Sequence, residues 1–92
     1  MGYHTTTLLD TTQEKTGDAF PVPRRDRLLF AVDLAGGGIC EIQARQSGGP
    51  WRTLKTFAAP GELNVENFGW HEVRAAARES AGARITVTMS GR

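Results

Sequence analysis

What this 92-residue sequence lacks narrows its chemistry before any motif is considered. It has a single cysteine, Cys40, so it cannot close an internal disulfide or build an all-cysteine metal site. It has no surplus of either charge: eleven Lys and Arg stand against ten Asp and Glu, a net charge of +1. A general nucleic-acid binder carries a basic excess on one face, so no nucleic-acid partner is expected. No stretch approaches the ~20 apolar residues of a membrane-spanning helix, so no membrane partner is expected either. The opening residues MGYHTTTLLDTT show neither the charged start nor the apolar core of a signal peptide, and the expected setting is the cytoplasm or a particle assembled there. The length fits one small domain with a thin core, the kind that gains from a partner surface.

What is present is mostly alternation. In RLLFAVDLA, Leu28, Phe30, Val32 and Leu34 share one face, with Arg27, Leu29, Ala31 and Asp33 on the other. ICEIQAR places Cys40, Ile42 and Ala44 on one side; GELNVENF adds Leu63, Val65 and Asn67; RITVTMS adds Ile85, Val87 and Met89. Threonines crowd the first sixteen residues, and β-branched side chains favour extended backbone, so YHTTTLL reads as an edge strand. Pro21 and Pro23 forbid a helix in FPVPRRDR. HEVRAAARESAGAR is open to two readings. Its alanine, arginine and glutamate favour a helix, yet a helical stripe made of alanine would bury little area, and the strand reading is preferred. The turn signals AGGG, SGGP, APGE and SAG recur every ten to twenty residues, and AGGG and SAG are expected to be hairpin loops. The fold class is therefore all-β: a single small antiparallel β-sandwich or jelly-roll-like barrel with an extended N-terminal arm. The division is residues 1–19 as arm or edge strand and 20–92 as sandwich. Trp51, Leu54, Phe30, Val32, Ile42, Val73, Ile85 and Val87 are expected in the core. Trp51 and Leu54 are three apart, so pointing both inward requires a β-bulge near Arg52 and Thr53.

No catalytic constellation emerges. Gly36, Gly37 and Gly38 follow a strand, but neither the dinucleotide nor the ATP-loop pattern is completed, and no helix follows to receive an anion. His71 and Glu72 start like a zinc-protease helix, but position 75 is Ala. His4 and His71 have no ligand spacing, and no metal or cofactor is expected. Cys40 lies on an apolar strand face, where a thiol is inert. The expectation is no enzymatic activity. Arg24, Arg25 and Arg27 form the one concentration of positive charge and could pair with carboxylates on a partner. Trp51, Phe57, Phe68 and Trp70 could line a sugar-binding face, though aromatics more often fill a core.

GGGICEIQARQSGGPWRTLKTF followed by FGWHEVRAAARESAGARITVTM resembles small β-sandwich virion proteins of tailed bacteriophages, of the capsid decoration (cement) or head-fibre type. The shared scheme is a Gly-rich hairpin (Gly48, Gly49), a Trp with a Leu three on (Trp51, Leu54), Val73-Arg74-Ala75, and a final Thr86-Val87-Thr88 strand. The resemblance spans roughly residues 28 to 90. It implies a non-enzymatic structural protein on the capsid surface of the virion. It also implies that the protein stabilises the head by binding between subunits of the major capsid protein, or binds other virion proteins, as a homo-oligomer, with a trimer favoured. Candidate interface residues are then Tyr3, His4, Thr5, Thr6, Thr7, Leu8 and Leu9, from an arm that contacts the shell, with Arg24, Arg25 and Arg27. The alternative is a carbohydrate-binding or host-recognition module of a tail or fibre, acting through Trp51 or Trp70.

Overall fold

The structure is a computed structural model that describes residues 4–22, 27–66 and 69–91. Its strands are β1 (His4–Thr11), β2 (Lys15–Thr16), β3 (Phe20–Pro21), β4 (Arg27–Leu34), β5 (Ile39–Arg45), β6 (Arg52–Phe57), β7 (Gly61–Glu66), β8 (Glu72–Arg78) and β9 (Ile85–Gly91). They form two antiparallel sheets. The front sheet runs β1-β9-β4-β7; the back sheet runs β2-β8-β5-β6, with β3 also paired to β8. The result is a flat slab, 36 × 31 × 17 Å, as two sheets packed about 10 Å apart require. The molecule is an all-β sandwich.

Side-chain size decides how the layers mesh. The front sheet sends Leu28, Phe30, Val32, Leu34, Ile85 and Val87 inward, all buried. The back sheet answers with the smaller Ala44, Ala75 and Ala77, and with Cys40, Ile42 and Val73. Bulky residues on one layer need small ones opposite if the gap is to fill without strain. That is why the alanine-rich segment is the strand β8 rather than a helix: Val73, Ala75 and Ala77 are all buried between the layers, and its register against β5 is continuous from Arg78 to Glu72. Six of the eight expected core residues are buried: Phe30, Val32, Ile42, Val73, Ile85 and Val87. Full burial of each contributes roughly 1.5–3 kcal/mol.

The N-terminal strand is built into the front sheet. β1 pairs with β9, and its register slips between Thr7 and Leu9. The slip leaves Leu8 as an extra residue, so that Leu8 and Leu9, adjacent in sequence, are both buried.

Two of the expected hairpins are something else. β4 and β5 lie in different sheets, as do β8 and β9, so the AGGG and SAG segments are corners that carry the chain between layers. Gly36, Gly37 and Gly38 have φ of +99°, +152° and +100°, angles that only glycine adopts at low cost. At the other corner the Ala83 amide donates to the Ser80 carbonyl at 2.8 Å, with Ala81 and Gly82 both at positive φ. The SGGP segment is a true hairpin between β5 and β6. The Gly49 amide closes its turn on the Gln46 carbonyl at 2.8 Å, and Gly48 takes the positive φ, +71°.

Candidate binding face

The hairpin at SGGP sets the most organised polar surface of the molecule, the outer face of the back sheet. Ile42 pairs with Lys55 and Gln43 with Thr53, leaving Leu54 as the extra residue of a bulge. A bulge is therefore present, at Leu54 rather than near Arg52 and Thr53 as expected, and Leu54 is partly buried against the core. Trp51 does not follow. Thr53 lies opposite Gln43 on the outer face, and Trp51, two residues earlier, emerges on that same side. The expectation that Trp51 is a core anchor is corrected: its ring lies across the outside of the sheet, partly buried beneath arginine side chains.

Those arginines come from two neighbouring strands. The Arg45 guanidinium, from β5, sits 4.6 Å from the Trp51 ring centroid, and that of Arg74, from β8, sits 4.2 Å away. Each such contact is worth about 0.5–1 kcal/mol near a surface. Both arginines are also hydrogen-bonded. Arg45 Nε donates to Glu72 Oε1 at 2.7 Å, and Arg74 Nε donates to Gln43 Oε1 at 2.6 Å. Gln43 passes the chain on, its Nε2 donating to Glu41 Oε1 at 3.2 Å. Glu41 also accepts from Thr53 Oγ1 at 3.0 Å and pairs with Arg78 Nη2 at 3.1 Å. The hydrogen bonds from Gln43 and Thr53, reinforced by the Arg78 charge, hold the Glu41 carboxyl below its ordinary pKa. The face is thus a cross-strand lattice running from Trp51 to Arg78. Arg74 is its odd member: among the described residues it has no carboxylate partner.

The sequence candidates fall elsewhere. Thr5 and Thr7 lie on the outer face of the front sheet, opposite Ser90 and Thr88, and Thr5 Oγ1 is 3.1 Å from Ser90 Oγ. Arg27 is exposed on β4 in the same sheet, paired in register with Glu66. The fold brings Thr5, Thr7 and Arg27 to one face. Thr6 has the opposite phase, facing inward against Met89, and His4 pairs with Gly91 through the backbone. Leu8 and Leu9 belong to the core, so their side chains are not available to an outside partner. Tyr3, Arg24 and Arg25 lie outside the described residues, as do Phe68 and Asn67. At the end of β1, Asp10 holds Arg84 through two bonds, Nε to Oδ1 at 2.7 Å and Nη2 to Oδ2 at 2.6 Å. The Arg84 guanidinium keeps the Asp10 carboxyl below its ordinary pKa.

The thiol and the described imidazole are both committed within the fold. Cys40 is fully buried, and burial, together with the adjacent Glu41 charge, pushes its thiol up to about 11, far from an activated nucleophile. His71 is occupied as an acceptor, its Nδ1 receiving the Ser47 amide at 3.0 Å, which ties the β5–β6 hairpin to the approach to β8. The Trp51–Arg45–Arg74 cluster was missed in the sequence. Its signal was the outward phase of both arginines; their meeting on one indole depends on strand pairing.

No family model matches the sequence, and no curated protein matches it. Among solved structures, the SPBc2 prophage-derived protein YomS superposes with a TM-score of 0.79 at 10% sequence identity, over 98% of this chain and 93% of that one. The likeness is one of fold. PirA gives a TM-score of 0.43 at 13% identity, over 100% of this chain and 94% of its own, too low to indicate a shared fold.

Proposed function

We propose that this chain is a non-enzymatic structural protein of a tailed phage, and that it decorates the capsid surface by binding between subunits of the major capsid protein. The observation that carries the reading is the end-to-end likeness of fold to a prophage-derived protein: both chains are covered almost completely, with no large insertion to house a separate site. The surface is consistent with it. Two broad sheet faces present charged groups that are largely committed to each other, and the one thiol is sealed between the layers. A decoration protein acts by adding buried area at each site, typically ~800 Å² per partner, and the shell's symmetry repeats that contact. A sugar-binding role has less support. Two guanidinium groups lie over the Trp51 ring, and Trp70 packs against the core.

The test is co-sedimentation of the purified chain with mature heads, and separately with isolated tails, of the phage that encodes it. Binding to heads that saturates at a fixed ratio to the capsid subunit is the expected result. Binding to tails alone would move the protein from head to tail, and a chain left in the supernatant by both at saturating concentration would remove the proposal.

A further inference from the structure

Three of the four sheet edges in this sandwich are guarded against further pairing. β1 is interrupted by its extra residue Leu8, and the connection after it runs alongside: a Cβ on Gly17 would stand 2.8 Å from the Leu8 carbonyl oxygen. β2 and β3 have two residues each, and β3 ends in Pro21. β6 has the bulge at Leu54. Its Arg52 and Lys55 stand opposite the buried Ala44 and Ile42, so both cations take the inward phase of an edge strand. Bulges, short edges, proline, covering segments and inward-pointing charges all keep an edge from recruiting another strand. β7 has none of these. It keeps unbroken register with β4, Arg27 opposite Glu66 through to Val32 opposite Gly61. Leu63 and Val65 are half-buried on its inner side, and Glu62, Asn64 and Glu66 are exposed on its outer side. Among the described residues no strand pairs along its free edge.

The charges around that edge define what fits it. On the outer side, among the described residues, they are Glu62, Glu66 and Asp33 against Arg27. On the inner side β7 meets β6: a Cβ on Gly61 would stand 3.1 Å from the Phe57 ring, and the Lys55 ammonium lies 5.0 Å from the centroid of that ring. An added strand therefore meets mainly carboxylates with its outward side chains. Its inward ones meet apolar groups and the β6 cations. A second copy of β7 is a poor occupant. Two-fold pairing centred on Asn64 sets Glu62 opposite Glu66 twice, and pairing centred on Leu63 leaves each Glu62 diagonal to two carboxylates. Like charges so placed destabilise a strand pair.

We infer that β7 receives one further antiparallel strand: an extended segment of another polypeptide that alternates lysine or arginine with apolar residues. Its cations lie along Glu62 and Glu66, and its apolar side chains cover Leu63 and Val65. Main-chain hydrogen bonds supply the affinity of such an addition, and alternate side chains supply the choice of partner. The antiparallel direction continues that of every pairing β4 and β7 already make, and it is the more stable ladder per residue. The contact does not depend on the capsid reading, so failure of one leaves the other untouched.

The probe is a capped heptapeptide, Lys-Val-Lys-Val-Lys-Val-Lys, titrated into the nitrogen-labelled chain and followed by amide shifts and hydrogen exchange. Binding should saturate, with the largest shifts and slowed exchange in β7, and should weaken about tenfold as salt rises from about 0.05 M to about 0.5 M. The same peptide N-methylated throughout keeps its charge but cannot donate a backbone hydrogen bond, and it should not bind. Glu62→Lys combined with Glu66→Lys, both at exposed positions, should weaken binding about tenfold. Leu63→Lys places on β7 the inward charge that guards β6 and should abolish binding; circular dichroism checks its fold, and the double variant carries the test should it fail to fold. No binding at millimolar peptide, equal binding of the N-methylated peptide or by the double variant, or shifts confined to the broad sheet faces would each overturn the inference. Protection of β7 amides that rises with protein concentration in the absence of peptide would also overturn it, by making a second copy the occupant.

Discussion

Cys40 gives the sharpest test of how the core is assembled, because its chemistry reports on its surroundings. The side chain is fully buried between the layers. Burial first, and the neighbouring Glu41 charge second, raise its thiol from 9.0 to about 11. The unfolded chain releases the thiol proton near pH 9 and the folded chain only near pH 11. Between those values the folded state holds more protons than the unfolded one, so stability falls as pH rises. The contribution is complete below about pH 9 and gone above about pH 11. One pKa unit corresponds to ~1.36 kcal/mol, so the shift amounts to about 2–3 kcal/mol, of which about 2 kcal/mol is lost by about pH 10.5. The assay is urea unfolding at about pH 8 and about pH 10.5 for the wild type and for Cys40→Ala. Every other group is common to both proteins, so the comparison isolates the thiol. The wild type should lose about 2 kcal/mol more than the variant between the two conditions, a relative fall in melting temperature of roughly 8–16 °C for a domain of this size. Equal losses, within about 0.5 kcal/mol, would show that the thiol is not sealed in the core and would refute the packing assigned to β5.

Two further substitutions probe the sandwich and its corner. Phe30 is fully buried, with Leu63 and Met89 as its cross-strand neighbours; Phe30→Ala should cost about 3–5 kcal/mol in chemical denaturation, the ordinary range for a buried phenylalanine. Gly36 and Gly38 have nearly equal φ, +99° and +100°, yet a Cβ on Gly36 meets nothing within 4 Å, whereas on Gly38 it would stand 2.9 Å from Ile85 Cδ1 and 3.3 Å from Ser80 Cα. Both alanine variants should lose about 1–3 kcal/mol from backbone strain, and Gly38→Ala should lose more; equal losses by thermal unfolding would deny the close packing of that corner against β9.

The sequence and the structure part company at identifiable residues. Alternation at period two is a local property, and it sorted Phe30, Val32, Ile42, Val73, Ile85 and Val87 onto the buried side correctly. It also put Arg45, Arg74 and Arg78 outward, half of what the back face needs. The other half is lateral order. Arg74 reaches the Trp51 ring because β5 lies between β8 and β6, an arrangement in which residues 23 positions apart are neighbours and no local pattern records it. The β6 bulge shows the same limit from within one strand. Extra residues reverse the phase of what precedes them, so Leu54 turns inward while Trp51 stays out.

By itself, then, the sequence determined that the chain is mostly strand, the buried side of β4, β5 and β9, and the inert placement of its one cysteine. Those follow from side-chain size, polarity and spacing along a few residues of chain. Only the tertiary structure decided which strands join which sheet, and so that AGGG and SAG are corners while SGGP is a hairpin. It also decided that the alanines of β8 lie buried between the layers, and that Trp51 lies on the outer face beneath Arg45 and Arg74. The reason is physical: a strand cannot satisfy its backbone hydrogen bonds alone, and the neighbour that completes them is chosen by how the whole core packs.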